Sequence, residues 1–169
     1  IGINCFPAQS QSQSQSFSRQ YIDELRRGSG GVAVAVTDVN LDGLEDIVRF
    51  NDARELQILL QLPDGEFEMH ESFAPLVFRQ WNILGLPLNE DRWLDWISAG
   101  NDSGVNYWIS DSIGGYEYLL DNRYKFFAQS SNAIDFDGSG SLDIFMCSDL
   151  SENYTLNNED GIPFDRERV

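Results

Sequence analysis

Residues 38–46 read DVNLDGLED, and residues 135–143 read DFDGSGSLD. Each stretch puts an oxygen-bearing side chain at positions one, three and five, Gly at six and Asp at nine. Calcium takes six to eight oxygen ligands, drawn from carboxylates, amides, backbone carbonyls and water. Alternate positions of a tight loop turn their oxygens to a common centre, so this spacing predicts two cation loops. The expected ligands are Asp38, Asn40, Asp42 and Asp46, with the carbonyl of Leu44 at position seven. In the later loop they are Asp135, Asp137, Ser139 and Asp143, with the carbonyl of Ser141. Gly43 and Gly140 take the sixth position, where the chain must turn sharply.

The helical calcium loop of the EF-hand opens in the same way, but it runs to twelve residues and closes on a bidentate Glu. Position twelve is Arg49 in one stretch and Met146 in the other, and the flanking residues are strand formers. That alternative fails.

The ninth-position aspartates reveal a repeat. Asp46, Asp95 and Asp143 stand 49 and 48 residues apart, and 21 residues beyond each comes an aromatic residue after a turn: Phe67, Tyr116 and Phe164. Phe17 precedes Phe67 by 50 residues and is expected to belong to a preceding, incomplete unit. Each unit reads as four short strands. The first gives GVAVAV, DIVRF, ELQILLQL and FEMHESF; the second gives FRQWNILGL, DWISAG, VNYWIS and YEYLLD. The third gives FFAQSSNAI, DIFMCS, NYTL and a last stretch from Phe164. β-Branched and aromatic residues fill these runs, and Gly, Asn, Asp and Pro separate them. The expected class is all-β. A period near 48 residues with four strands lies in the range of β-propeller blades. A single blade cannot bury both faces and must stack on neighbours. The expectation is therefore part of a β-propeller, with three four-stranded antiparallel blades (about 30–74, 79–123 and 125–169) plus a strand of a preceding blade. Propellers close with four to eight blades, so other blades from this or another chain are expected partners. Residues 1–16, with QSQSQS at 11–16, read as a linker or terminal segment.

The nine-residue loop on a strand–loop–strand hairpin resembles the FG-GAP and VCBS repeats of integrin α-subunit propellers and fungal propeller lectins. DVNLDGLEDIV followed by LPDGEF, and DFDGSGSLDIF followed by EDGIPF, carry the resemblance, which covers residues 17–169. It implies calcium held in the hairpin between the first two strands of a blade; it implies no shared ligand. The middle unit departs from the pattern. PLNEDRWLD has Pro87 for the first Asp and Arg92 for the Gly, keeping Asn89, Asp91 and Asp95. This loop, around Asp91 and Asp95, is expected to be metal-free, with the Arg92 guanidinium against one of those carboxylates.

Composition narrows function. The 169 residues carry 28 acidic and 11 basic side chains, net charge −17, which disfavours nucleic acid and anionic membranes. No apolar run approaches the roughly 20 residues of a membrane span. Ile1 is followed by no basic or long apolar leader, so a signal peptide is expected to be absent or removed. Sequons at Asn101 and Asn153 mark possible glycosylation and, with calcium loops, an extracellular or cell-surface location. Cys5 and Cys147 fit one disulfide or two free thiols. The lone histidine, His70, reads as a surface residue, and no nucleophile motif, phosphate loop or zinc spacing is present. The expected function is non-enzymatic: adhesion or protein assembly by a calcium-stabilised propeller segment. Two alternatives stand beside it. One is a glycan-binding lectin, with Trp93, Trp96 and Trp108 of the aromatic middle unit as ligand-binding candidates; the other is an accessory region of a larger secreted enzyme or toxin. The simpler reading is that these rings fill the space between blades, and Trp93, in the loop, is the one expected to be exposed.

Overall fold

The computed structural model describes residues 33–89, 91–100, 104–111, 113–122 and 127–148, and the backbone of strands 154–157 and 165–168. Phe17, Phe164, Cys5, the sequons at Asn101 and Asn153, and residues 1–16 lie outside the described residues. The described chain is all-β, with no helix. Twelve strands form three four-stranded antiparallel sheets. The first holds β1 (Val34–Thr37), β2 (Asp46–Phe50), β3 (Leu56–Gln61) and β4 (Phe67–Ser72). The second holds β5 (Leu84–Leu86), β6 (Asp95–Ala99), β7 (Val105–Ser110) and β8 (Tyr116–Asp121). The third holds β9 (Ala128–Ile134), β10 (Asp143–Ser148), β11 (Tyr154–Asn157) and β12 (Asp165–Arg168). Within each sheet the strands are hydrogen-bonded in sequence order, so every connection is a hairpin.

Side chains that alternate along a strand face opposite ways, and this alternation distributes the middle sheet between two cores. Trp96 and Trp108 face the first sheet and pack with Val48, Phe50, Leu56 and Ile58. Ile97, Ala99, Val105 and Tyr107, at the intervening positions, pack with Ala128, Ile144 and Met146 of the third sheet. The middle sheet is therefore covered on both faces. All five residues of β6 are buried, whereas β2 alternates buried with half-buried. A strand buried on both sides loses the apolar–polar alternation expected of a half-exposed one.

Gly85 pairs with Trp96 across the β5–β6 ladder. A Cβ at Gly85 would meet the Trp96 ring at 2.6 Å, so the indole lies directly on the glycine backbone. The indole Nε1 donates to the Tyr116 hydroxyl at 3.4 Å. Burial, and secondarily the carboxylates of Asp95, Asp91 and Asp111, push the Tyr116 phenol above its ordinary pKa against the lowering effect of that hydrogen bond. Burial raises Tyr118 as well. A phenol raised in the fold favours the folded state below the unfolded pKa of about 10, and that contribution fades as pH rises through the folded pKa. Spectrophotometric titration should thus show phenols ionising late, and Tyr116→Phe should remove one of them and weaken the alkaline loss of stability.

The two hairpins that end the first and second sheets are alike. Leu62 N donates to Glu66 O at 2.7 Å, and Asp111 N donates to Gly115 O at 3.0 Å. Gly65 and Gly114 sit at the left-handed position of each, with φ of 87° and 96°, a conformation glycine adopts without steric cost.

A buried polar network that no local sequence pattern announced lies in the second sheet. The Ser98 hydroxyl is 2.7 Å from Asn82 O and 3.0 Å from Gln80 Oε1. Asn106 Nδ2 donates to Gln80 Oε1 at 3.2 Å, and the Tyr118 hydroxyl donates to Asn106 Oδ1 at 2.8 Å. Asn82 Oδ1 accepts from Ala99 N at 3.1 Å. The network ties the segment entering β5 to β6, β7 and β8, with its buried amides partnered as burial demands.

Candidate metal loops

The three loops between the first two strands of each sheet are wired by the same side-chain-to-backbone bonds. Position three accepts from the amide at five: Asn40 Oδ1 from Asp42 N at 3.0 Å, Asn89 Oδ1 from Asp91 N at 3.2 Å, Asp137 Oδ1 from Ser139 N at 2.8 Å. Position five accepts from the amide at seven: Asp42 Oδ1 from Leu44 N at 2.8 Å, Asp91 Oδ1 from Trp93 N at 2.9 Å, Ser139 Oγ from Ser141 N at 3.3 Å. Where position one is Asp, it accepts from the glycine at six: Asp38 Oδ2 from Gly43 N at 2.8 Å, Asp135 Oδ2 from Gly140 N at 2.9 Å. Short polar side chains that bond the backbone two residues on make turns of this kind.

Gly43 and Gly140 have φ of 89° and 93°. The space around each Cβ position is open, so backbone conformation, and not crowding, demands glycine there. Arg92, at the same position of the middle loop, is not left-handed. Position four is left-handed in both cation-type loops, as Gly138 with φ 75° and as Leu41 with φ 63°. A non-glycine residue held there is strained.

Position nine has a role that metal ligation had hidden. Asp46, Asp95 and Asp143 are buried, at 0, 0 and 2% exposure. Each accepts from the amide at position two of its own loop: Asp46 from Val39 at 2.8 Å, Asp95 from Leu88 at 2.6 Å, Asp143 from Phe136 at 2.9 Å. The other oxygen reaches the last residue of the third strand: Asp46 Oδ1 accepts from Gln61 N at 2.8 Å and Asp95 Oδ1 from Ser110 N at 2.7 Å. One buried carboxylate thereby clamps the loop to the sheet, in the middle unit as in the first.

Do these residues fit a cation? In the third loop Asp135, Asp137 and Asp143 offer carboxylate oxygens that all lie within 4.8 Å of one another, the one such acidic group among the described residues. Asp135 Oδ1 is buried and has no hydrogen-bond partner. Hydrogen bonds from the Ser139 hydroxyl and amide hold the Asp137 carboxyl below its ordinary range. Three converging carboxylates, one oxygen desolvated and unpaired, suit a hard divalent cation with oxygen preference. This group could hold a metal ion. In the first loop an amide stands at position three, and Asn40 Nδ2 donates to Asp42 Oδ2 at 2.9 Å, which satisfies one carboxylate internally.

The middle loop closes differently. Ser110 Oγ lies 2.9 Å from Asp91 Oδ2 and 2.9 Å from Asp95 Oδ1, so a hydroxyl from the third strand stands between the two carboxylates. Asn89 Nδ2 donates to Ser110 O at 3.0 Å. The Arg92 guanidinium lies over the Trp93 ring, 5.9 Å from its centroid. The group filling the space expected for Arg92 is thus Ser110, which only the fold brings within reach.

Of the aromatic ligand-binding candidates, Trp93 is partly exposed. Trp96 and Trp108 are 0 and 1% exposed. Burial removes Trp96 from any stacking role: its ring fills the space between the first two sheets. Trp108 does the same, with Phe50 at 5.8 Å and Tyr118 at 5.4 Å between ring centroids. His70 is exposed on β4 and borders a cavity of about 360 Å³ with Asn40, Asp42 and Glu68. Cys147 is half-buried on β10.

No protein-family model matches the chain, and no curated protein matches it. No helix among the described residues is long and apolar enough to cross a membrane.

Proposed function

We propose that the chain is a non-enzymatic, calcium-stabilised segment of a β-propeller that serves adhesion or protein assembly outside the cell. The observation that carries this reading is the acidic group Asp135, Asp137 and Asp143, placed between the first two strands of a four-stranded sheet stacked on a like sheet. Stacked antiparallel units of one length, each bearing its loop at the same place, are what blades require. The calcium role is mechanical. Folding gathers carboxylates that repel one another, and a divalent cation cancels that repulsion while joining the loop to the sheet.

Two sites are proposed, in the first and third loops, with the third the better formed and the middle loop metal-free. Extracellular calcium modules have dissociation constants of about 10⁻⁴ to 10⁻³ M, so a secreted chain would be loaded. The sequons at Asn101 and Asn153 agree with that location. Outward-facing apolar residues of the first sheet, Val34 and Val36, give further sheets a surface to pack on.

Calorimetric calcium titration with thermal melts in calcium and in chelator tests the reading. At ten times the dissociation constant each site should add about 1.4 kcal/mol to stability. Asp137→Ala should delete one site without unfolding the loop, because that side chain is exposed and its bonds from the Ser139 amide and hydroxyl stay within the loop. Asp38→Ala should delete the other. Absence of binding and of any melting shift would overturn the calcium role and leave the loops as turns.

A further inference from the structure

At the end of the first sheet opposite the acidic loops, the β2–β3 turn and the segment leaving β4 meet the second sheet. A cavity of about 430 Å³ opens there, lined by Phe73, Pro75, Leu76, Val77, Trp108 and Tyr118. A smaller one of about 90 Å³ shares Leu76, Val77 and Tyr118 and adds the amides of Gln80 and Asn106. Its size and apolar, aromatic walls with a few polar groups are those of a small-molecule pocket. Val77 and Tyr118 stand exposed at its mouth, at 76 and 44%.

One cation is bonded to a residue of its lining. Arg54 Nη1 donates to Val77 O at 3.2 Å. Its backbone is held in the left-handed region, φ 68°, by the tight turn in which Arg54 N donates to Asn51 O at 3.0 Å. Arg54 O in turn accepts from Leu76 N at 3.0 Å. Left-handed arginine is strained, and such strain gathers where a side chain must be aimed. A guanidinium has five N–H donors, and a single one of them is used on Val77. In a chain with 28 acidic residues, Arg54 has no carboxylate partner among the described residues and donates instead to the carbonyl of Val77, which lines both cavities.

We propose that this cavity binds a small amphipathic carboxylate, its aromatic or aliphatic body on Phe73, Val77 and Tyr118 and its carboxylate on Arg54. Apolar walls supply burial, and a guanidinium supplies paired, charge-assisted donors for a planar anion. The site is independent of the calcium loops at the far end of the sheets, so it stands or falls separately from them.

The test is calorimetric titration of the full chain with phenylbutyrate, and with phenylbutanol as the uncharged analogue. Phenylbutyrate should bind saturably, and phenylbutanol about ten-fold more weakly, the equivalent of one charge-assisted contact. Arg54→Gln should weaken phenylbutyrate about ten-fold and leave phenylbutanol unchanged, with the melting transition confirming that the variant folds. Ala74→Trp, at an exposed position lining the cavity, should block both ligands. No saturable binding of phenylbutyrate, or binding indifferent to Arg54→Gln, overturns the proposal. So does equal affinity for the alcohol, which would make the cavity a plain apolar patch.

Discussion

Trp96→Ala should lower the stability of the chain by about 3–5 kcal/mol, the cost found for deleting a large buried aromatic. Trp96 is wholly buried and faces the core shared by the first and second sheets. Its loss removes the partner that Gly85 was shaped to admit, since no side chain on β5 can close on the vacated space from that side. It also withdraws the indole donor from Tyr116. Trp96 and Trp108 are the buried residues that the middle sheet gives to this shared core, so the deficit should fall on the contact between sheets. Urea unfolding would read the loss as a lower midpoint with an unchanged slope if the three sheets unfold together. A broadened or split transition would mean that the first sheet has come away by itself. Trp96→Phe, which keeps a ring above Gly85, should recover most of the loss. A cost below about 0.5 kcal/mol for Trp96→Ala would contradict a core role, because that is the scale of a substitution at a surface position.

What the sequence disclosed and what it hid divide along the range of the interactions. The acidic loops, their glycines and the hairpin turns are built from bonds between residues two to seven apart, and such bonds leave a spacing that can be read directly. Gly43 and Gly140 were legible because a left-handed φ has a residue preference of its own. The strand runs were legible because β-branched and aromatic residues cluster in them. By contrast, the Gln80–Ser98–Asn106 network joins residues 18 and 26 positions apart and shows no pattern along the chain. Ser110 between Asp91 and Asp95 is likewise a product of the fold, and Arg92 was the natural expectation because it was the nearest cation in sequence. Trp96 and Trp108 were ambiguous for another reason: a large ring with one polar nitrogen suits a sheet interface and a ligand surface alike. The cavity beside Arg54 could not be foreseen, since its lining joins residues 73–77, 108 and 118, and Arg54 reaches it through the carbonyl of Val77.

One signal in the sequence carried more than was drawn from it. Asp95 persists in a loop that has lost the first carboxylate and the glycine, and a residue kept where its supposed ligand is not expected must have other work. Asp95→Ala should therefore cost about 3–5 kcal/mol with no cation involved. Its carboxylate accepts from Leu88 N at 2.6 Å and from Ser110 N at 2.7 Å, with Asn89 N at 3.2 Å and the Ser110 hydroxyl at 2.9 Å. Truncation strands buried donors at about 1–3 kcal/mol each, and the alanine cavity is too confined to restore them all with water. Asp95→Asn keeps the shape but turns a donor toward one of those amides, so it should rescue only part of the loss. The comparison that isolates the clamp from the ligand is between loops. Asp95→Ala should destabilise equally in calcium and in chelator. Asp143→Ala should cost more in calcium than in chelator, because it removes both the bond to Phe136 N and one of three converging carboxylates. If Asp95→Ala proved nearly neutral, the ninth-position carboxylate would be a metal ligand alone. Its retention in the middle loop would then have no structural cause. If Asp143→Ala lost the same stability in both conditions, the third loop would be a clamp without a cation.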